Sequence, residues 1–352
     1  MHKHLEVDVF MLKKILCIAL VLLTIFCFAA CGKKEPVSEN TNTIVPSEKT
    51  VVANPLTGVE DFDSAKLTAR PVAVMIDNDS VAQKNAQFGV SKADIVYETE
   101  VEGGITRLMA VFADYTKIPQ LGDVRSARFV YSDLANGHNA IYVHSGADDV
   151  YCRPHMKSIG LDNFEVTTDV YAWRHTYGSS TNWQNLYTNG EKLTQGFADK
   201  NWKTTQTEFK PWQNFVAEAP VLTAGAANKV TVGFSGSSTS YFTFDATTGK
   251  YNKTSAVCAN ADKLDSAPYA FKNVFVLKTN MSYYSNNKHR NIDLNSGTGY
   301  YIVNGNYCKI KWQKGDSNKP FTFTNEDGTP LNVAAGNSWV CIAKNDATIS
   351  FS

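Results

Sequence analysis

The hydrophobic period of the chain changes near residue 220, and this break limits the fold more than any other feature. After it, hairpin signals follow one another. Tyr300-Tyr301-Ile302-Val303 and Tyr307-Cys308-Lys309-Ile310-Lys311-Trp312 flank Asn304-Gly305-Asn306. Asn-Gly is a strong hairpin signal because both turn residues take positive φ. Phe321–Thr324 and Pro330–Val333 flank a turn ending in Gly328, and Tyr241–Phe244 and Lys250–Lys253 flank one containing Gly249. No convincing helix follows Lys263. Short strands at this density predict an all-β sandwich or barrel-like domain over 228–352.

Before the break, strands and helices alternate. Val72–Ile76 is a continuous apolar run between Pro71 and Asp77-Asn78, as expected of a buried strand. Ile95–Val101, Leu108–Phe112 and Ile141–His144 read as further strands. Helices are predicted from Ser126 to Gly137, with Ser126 as cap, from Asp148 to Ile159, and from Glu191 to Asn201, with Asn189 as cap. The pattern predicts an α/β domain over 56–219, with a central mixed sheet and flanking helices. The whole is then an α+β two-domain chain.

The first 55 residues do not belong to either pattern. Lys13-Lys14 precede sixteen mainly apolar residues, Ile15–Ala30, then Cys31-Gly32-Lys33-Lys34. A basic start, an apolar run and small residues before a break form a secretory signal, and the run is short of the roughly 20 residues a membrane span needs. Phe28-Ala29-Ala30-Cys31 resembles a bacterial lipobox, which implies cleavage before Cys31 and acylation of its thiol. Met11 suits such a signal better as a start than Met1, because Glu6 and Asp8 fall between them. Residues 31–55 are rich in Ser, Thr, Asn, Pro and charge and read as a flexible tether, reaching a few tens of ångströms at about 5–6 Å × √n. The expected location is the extracytoplasmic face of the cell membrane, held there by lipid on Cys31.

Composition removes several function classes. The 352 residues carry 34 basic and 34 acidic side chains, and loss of residues 1–30 leaves 31 and 32. A balance this even gives no electrostatic case for nucleic acid. Four cysteines remain after Cys31: Cys152, Cys258, Cys308 and Cys341. They suit either buried thiols or up to two disulfides. None has metal spacing. His155 and His175 are isolated, and no motif calls for a metal or cofactor. Arg153 and His155 lie beside Cys152, a weak case for an activated thiol. Tyr241, Tyr283, Tyr284, Tyr300, Tyr301, Trp312 and Trp339 suit either sugar stacking or a core.

Residues 94–128 concentrate chemistry. They hold Glu98, Glu102, Gly103-Gly104, Arg107, Arg125, Ser126 and Arg128. Arg125 and Arg128, three apart at a helix start, would project from one side beside unpaired N–H groups, which makes an anion site. Gly103-Gly104 would let backbone approach a ligand. Asp77, Asn78 and His144 end strands where α/β sites open. The competing reading has the arginines fastening loops by pairing with Glu98, Glu102, Asp123 and Asp133.

Asn54–Gly58, Arg70–Asn78, Ser91–Glu98, Val101–Arg107 and Val124–Arg128 together resemble the YerB-like bacterial lipoproteins, exported proteins of unknown function with an N-terminal and a C-terminal family domain. The resemblance implies localisation and architecture rather than chemistry. Members usually carry Pro-His-Asn-Leu-Tyr where this chain has Trp183-Gln184-Asn185-Leu186-Tyr187, so Gln184 stands in place of the His.

Two functions follow as expectations. The first is a membrane-anchored lipoprotein that binds an anionic envelope component, such as a polymer, or an envelope protein through Arg107, Arg125, Ser126, Arg128, Glu98, Glu102, His144, Asp77 and Asn78. The second is a cell-envelope hydrolase or transferase using Glu98 or Glu102 with the arginines.

Overall fold

The computed structural model describes residues 50–352 apart from 167–169, 182, 208 and 209. The signal at 1–30, Cys31 and nearly all of the tether lie outside the described residues. Among the described residues no helix is long and apolar enough to cross a membrane.

The strand Val72–Asp77 lies between Thr106–Phe112, antiparallel, and Ile141–His144, parallel. Asn163–Glu165 extends that side, and Ile95–Glu100 pairs with the far edge of Thr106–Phe112. The sheet then crosses into the second half of the chain. Ser338–Lys344 pairs in parallel with Ile95–Glu100, and Asn273–Thr279 pairs in parallel with Ser338–Lys344. Ser296–Val303 and Asn306–Gln313 follow, antiparallel. The described residues thus build one mixed eleven-stranded sheet from both halves.

Because both faces are covered, its central strands are apolar throughout. Val72, Val74, Ile76, Val96, Leu108 and Ala110 share one core with Trp339, and Ala73, Met75, Tyr97, Met109 and Val111 share the other. A five-stranded sheet covers the first face: Lys229–Gly233, Thr239–Asp245, Lys250–Ser255, Ala270–Phe271 and Ile349–Phe351 contribute Val230, Val232, Phe242, Tyr251 and Phe271. The helices Phe129–Gly137 and Cys152–Ser158 bring Tyr131, Leu134 and Met156 to the second.

The fold is α+β, predominantly β, with mixed sheets. The Asn304-Gly305 turn forms with φ of 50° and 75°, and the Gly249 hairpin pairs Phe244 with Tyr251. The hairpin expected across Gly328 is only partly formed. Thr322–Asn325 pairs with Asn306–Gln313, while Asn332–Ala334 leaves to pair in parallel with Asn214–Val216. Asn189 caps its helix, Gly190–Asp199, by accepting from Lys192 N at 2.8 Å. The other two helices start later than expected. Arg128, not Ser126, is the N-cap of Phe129–Gly137, and no side chain caps that helix. Asp148 turns the chain by accepting from the amides of Val150, Tyr151 and Cys152 before Cys152–Ser158 begins. The short helix Ser80–Asn85, capped by Asp79, was not anticipated. All four cysteines are free thiols.

Candidate functional site: an arginine cluster at the sheet end

Alternation along a strand sends neighbours to opposite faces. It therefore parts the candidate residues at one end of the sheet. Asp77 and Arg107 face each other across the register on the side where the helix Phe129–Gly137 packs. Glu98 belongs to the side carrying Val96, Leu108 and Trp339.

Three guanidinium groups meet on the helix side. Arg107, 3% exposed, donates Nη1 to Ser126 O at 2.8 Å. Arg128 reaches the same carbonyl at 3.5 Å and Ala127 O at 2.8 Å, and its Nε sits 2.9 and 2.7 Å from the two oxygens of Glu102. Arg125 Nε lies 2.9 Å from Asp77 Oδ2, a close ion contact that lacks hydrogen-bond alignment. Its Nη1 donates to Trp183 O at 2.8 Å. Arg125 and Arg128 leave an extended segment ahead of the helix, not a helix turn. That segment is held by Arg125 N to Met75 O and Ala127 N to Gly146 O.

This side is under-satisfied. Arg107 Nε and both oxygens of Asp123 are buried without a hydrogen bond among the described residues, and Arg107 makes no ion pair among them. Burial, together with the neighbouring Arg128, pushes the Arg107 guanidinium down to about 10. Burial, and then the nearby Asp77, holds the Asp123 carboxyl well above the usual carboxylate range. Burial also raises Asp77, against the pull of Arg125 and Arg107. A buried polar atom without a partner costs about 1–3 kcal/mol, so three in one place mark a site that solvent or a ligand completes.

Glu98 is the opposite case. Its Oε1 accepts from Asn78 Nδ2 at 3.0 Å and Thr106 Oγ1 at 2.8 Å. Its Oε2 accepts from Trp339 Nε1 at 3.0 Å, and Ser240 Oγ lies 2.9 Å from the same oxygen. No arginine touches it, and two of the donors come from the second half of the chain. Asn78 is part of this knot, with Oδ1 receiving Gln87 Nε2 at 2.9 Å.

The remaining candidates are placed as follows. His144 is buried, with Nδ1 2.9 Å from Gly146 O and Nε2 3.2 Å from Asn163 Oδ1. It faces that loop, not the arginines, and burial lowers its pKa. Ser126 contributes its carbonyl. Gly103 and Gly104 both have φ of 73°, but the group that closes on Gly104 O is a serine loop of this chain, with Ser237 and Ser238 hydroxyls at 2.9 Å and Ser235 closer still. Of the loop-fastening pairs considered, Arg128–Glu102 forms, whereas Asp133 binds His155 Nε2 at 2.6 Å. Cys152 is buried and its thiol is pushed up to about 12 by that burial, which suits an inert side chain. Tyr301, Trp312 and Trp339 are core residues, while Tyr241 and Tyr283 are exposed. Among the described residues, no cluster of His, Cys, Asp and Glu could hold a metal ion.

Sequence reasoning missed Asp123 as more than a loop partner, and Asp79. Gln184 Nε2 donates to Asp79 Oδ2 at 2.7 Å, so the turn that carries Gln184 lies beside the cluster. The Gly-Asp pair between Leu121 and Val124 carries no local signal of this burial, since side chains alternate between faces along a strand.

The N-terminal domain model of DUF3048, described as a protein of unknown function, matches residues 56–203, and the C-terminal domain model of the same family matches 230–340. The chain belongs to this family. It is similar to a protein of Bacillus subtilis (strain 168) described as a candidate lipoprotein, YerB. The two are 26% identical over 338 residues, 94% of this chain and 96% of the relative. The crystal structure of YerB from Bacillus subtilis matches with a TM-score of 0.74 at 26% identity, covering 85% of this chain and 99% of the other. The family models therefore span both halves, and the N-terminal one covers the segment that carries the arginine cluster.

Proposed function

We propose that the protein is a lipoprotein, held to the extracytoplasmic face of the membrane through Cys31, that binds an anionic envelope component where Arg107, Arg125 and Arg128 meet. The lipobox-like Phe28-Ala29-Ala30-Cys31 and the lipoprotein description of the relative support the anchor. The family models support the division into 56–219 and 228–352, although strands of both parts share one sheet.

The observation that carries the binding reading is Arg107. Asp77 and Glu102 act on this buried guanidinium from nearby, but among the described residues neither forms an ion pair with it, an arrangement that an incoming anion would improve. The neighbouring Arg125 and Arg128 have side chains that are 24% and 20% exposed. A phosphate or carboxylate entering there would meet planar guanidinium forks. The geometry favours binding over hydrolysis or group transfer by Glu98 or Glu102, because both carboxylates already hold partners.

The test is thermal stabilisation by sulfate and phosphate. The wild type is expected to gain stability, less so as sodium chloride rises, and Arg125→Ala to gain none. Equal response of the two proteins would overturn the reading. For the anchor, Cys31→Ser should leave the protein unprocessed or release it from the membrane fraction. Unchanged size with unchanged retention would refute lipidation.

A further inference from the structure

We infer that the ligand of the arginine cluster is an anionic saccharide, with its charged group on Arg125 and its ring stacked on the indole of Trp183. This inference rests on the anion-binding reading above.

Trp183 is 71% exposed, whereas Trp212, Trp312 and Trp339 are buried. Its turn is nevertheless fixed at the base. Gln184 is buried; its side chain donates to Asp79 Oδ2 at 2.7 Å and accepts from Thr181 Oγ1 at 2.7 Å, and its amide donates to Thr181 O at 3.0 Å. The turn is thus held at the residue after Trp183, and the indole is displayed on a supported frame. The backbone carbonyl of Trp183 receives Arg125 Nη1 at 2.8 Å, so the residue that bears the exposed ring is tied to the cation through its main chain.

This combination selects among anions. Inorganic phosphate would use the guanidinium and leave the indole in water. A pyranose bearing a phosphate or carboxylate presents an apolar C–H face for the ring and a charge for the arginine. The surface around the turn also suits hydroxyl groups: Thr176, Ser179 and Thr181 are exposed, and Asn85 Nδ2 donates to Ser179 Oγ at 2.9 Å. Arg107 Nε and the Asp123 carboxyl, buried without a hydrogen bond among the described residues, each interact with Arg125 and supply the buried polarity that such a ligand would draw on.

The experiment is calorimetric titration of the full chain in detergent with glucose 6-phosphate, inorganic phosphate, glucose and a phosphoserine peptide. Wild type, Trp183→Ala, Trp183→Tyr and Arg125→Ala are compared. Glucose 6-phosphate is expected to bind at least about tenfold tighter than phosphate. Trp183→Ala should bring it down to the phosphate level without changing phosphate binding, and Trp183→Tyr should keep most of the difference. Arg125→Ala should abolish both. Equal affinity for the two anions, unmoved by Trp183→Ala, would overturn the saccharide while leaving the anion site standing. Tighter binding of the phosphopeptide, with the same dependence on Trp183, would replace the saccharide with a protein. Failure of every anion to bind wild type would overturn both readings.

Discussion

The two faces of the sheet end treat buried charge in opposite ways. On one face Glu98 is a lone carboxylate surrounded by the neutral donors of Asn78, Thr106, Ser240 and Trp339. On the other, three arginines and two aspartates lie close together, yet Arg107 Nε and both oxygens of Asp123 have no hydrogen-bond partner among the described residues. A carboxylate whose lone pairs are filled by dipoles from distant segments serves as a tie. Charges gathered with part of their bonding capacity unused are poised for something that arrives later. Residue type alone does not separate the two, since Glu98 on one face and Asp77 with the arginines on the other were all expected in one site.

The sharpest way to break this contrast is to remove the tie. Glu98→Ala would leave several buried donors unpaired and should destabilise the protein by about 3–5 kcal/mol, measured by urea unfolding. A loss below about 1 kcal/mol would mean that Glu98 is not structural. Arg107→Gln should behave differently. It removes a buried cation crowded by Arg125 and Arg128 while keeping a donor for Ser126 O, so stability without added anion should move by no more than about 1 kcal/mol, and stabilisation by phosphate should shrink.

Asp123 sharpens the contrast through pH. Its carboxyl is raised in the folded protein, so the unfolded chain ionises first. The contribution of this group is full below about pH 4, the ordinary carboxylate range, and is lost as pH rises from there through the folded value. Melting curves between pH 4 and 8 should show Asp123→Asn losing less stability than wild type over that interval. Parallel curves would show that Asp123 ionises freely in the fold. The smallest effect is expected from proteolysis. A first cut between about Glu218 and Asn228, where Val221 is 90% exposed, should leave both fragments co-eluting in gel filtration, because Glu98 and the shared sheet span the nick. Separation of the fragments would make the tie dispensable.

Much of the fold could be read from local chemistry, and the reason is visible in particular residues. Val72–Ile76 announces a strand covered on both faces, and Asn304-Gly305 fixes its turn by backbone preference alone. What could not be read is pairing over long distance. Nothing near Ser338 indicates that it will lie in parallel beside Ile95, so the C-terminal strands were expected to close on themselves and instead divide between the shared sheet and its cover. The arginines were legible as a group because they fall close together in sequence. Their surroundings were not: whether Glu98 meets Arg125 or Ser240 depends on which face of the strand it occupies and on what the second half brings there. Gly104 gives the same lesson, since its freedom is used by three serines over 130 residues away.

The parallel pairing of Ser338–Lys344 with Ile95–Glu100 also sets an order of events. Thr99 Oγ1 donates to Ile342 O across 243 positions, so the strand Ile95–Glu100 waits for one made long after it. During synthesis the first half carries an open, apolar sheet edge with nothing yet to cover it, the kind of edge that invites pairing with another chain. Closure requires the chain to have emerged as far as Lys344, and its loop entropy falls late. A ribosome that stops anywhere before residue 338 therefore releases a chain lacking the middle of its own sheet. The strand Ser338–Lys344 is what joins the two halves of that sheet.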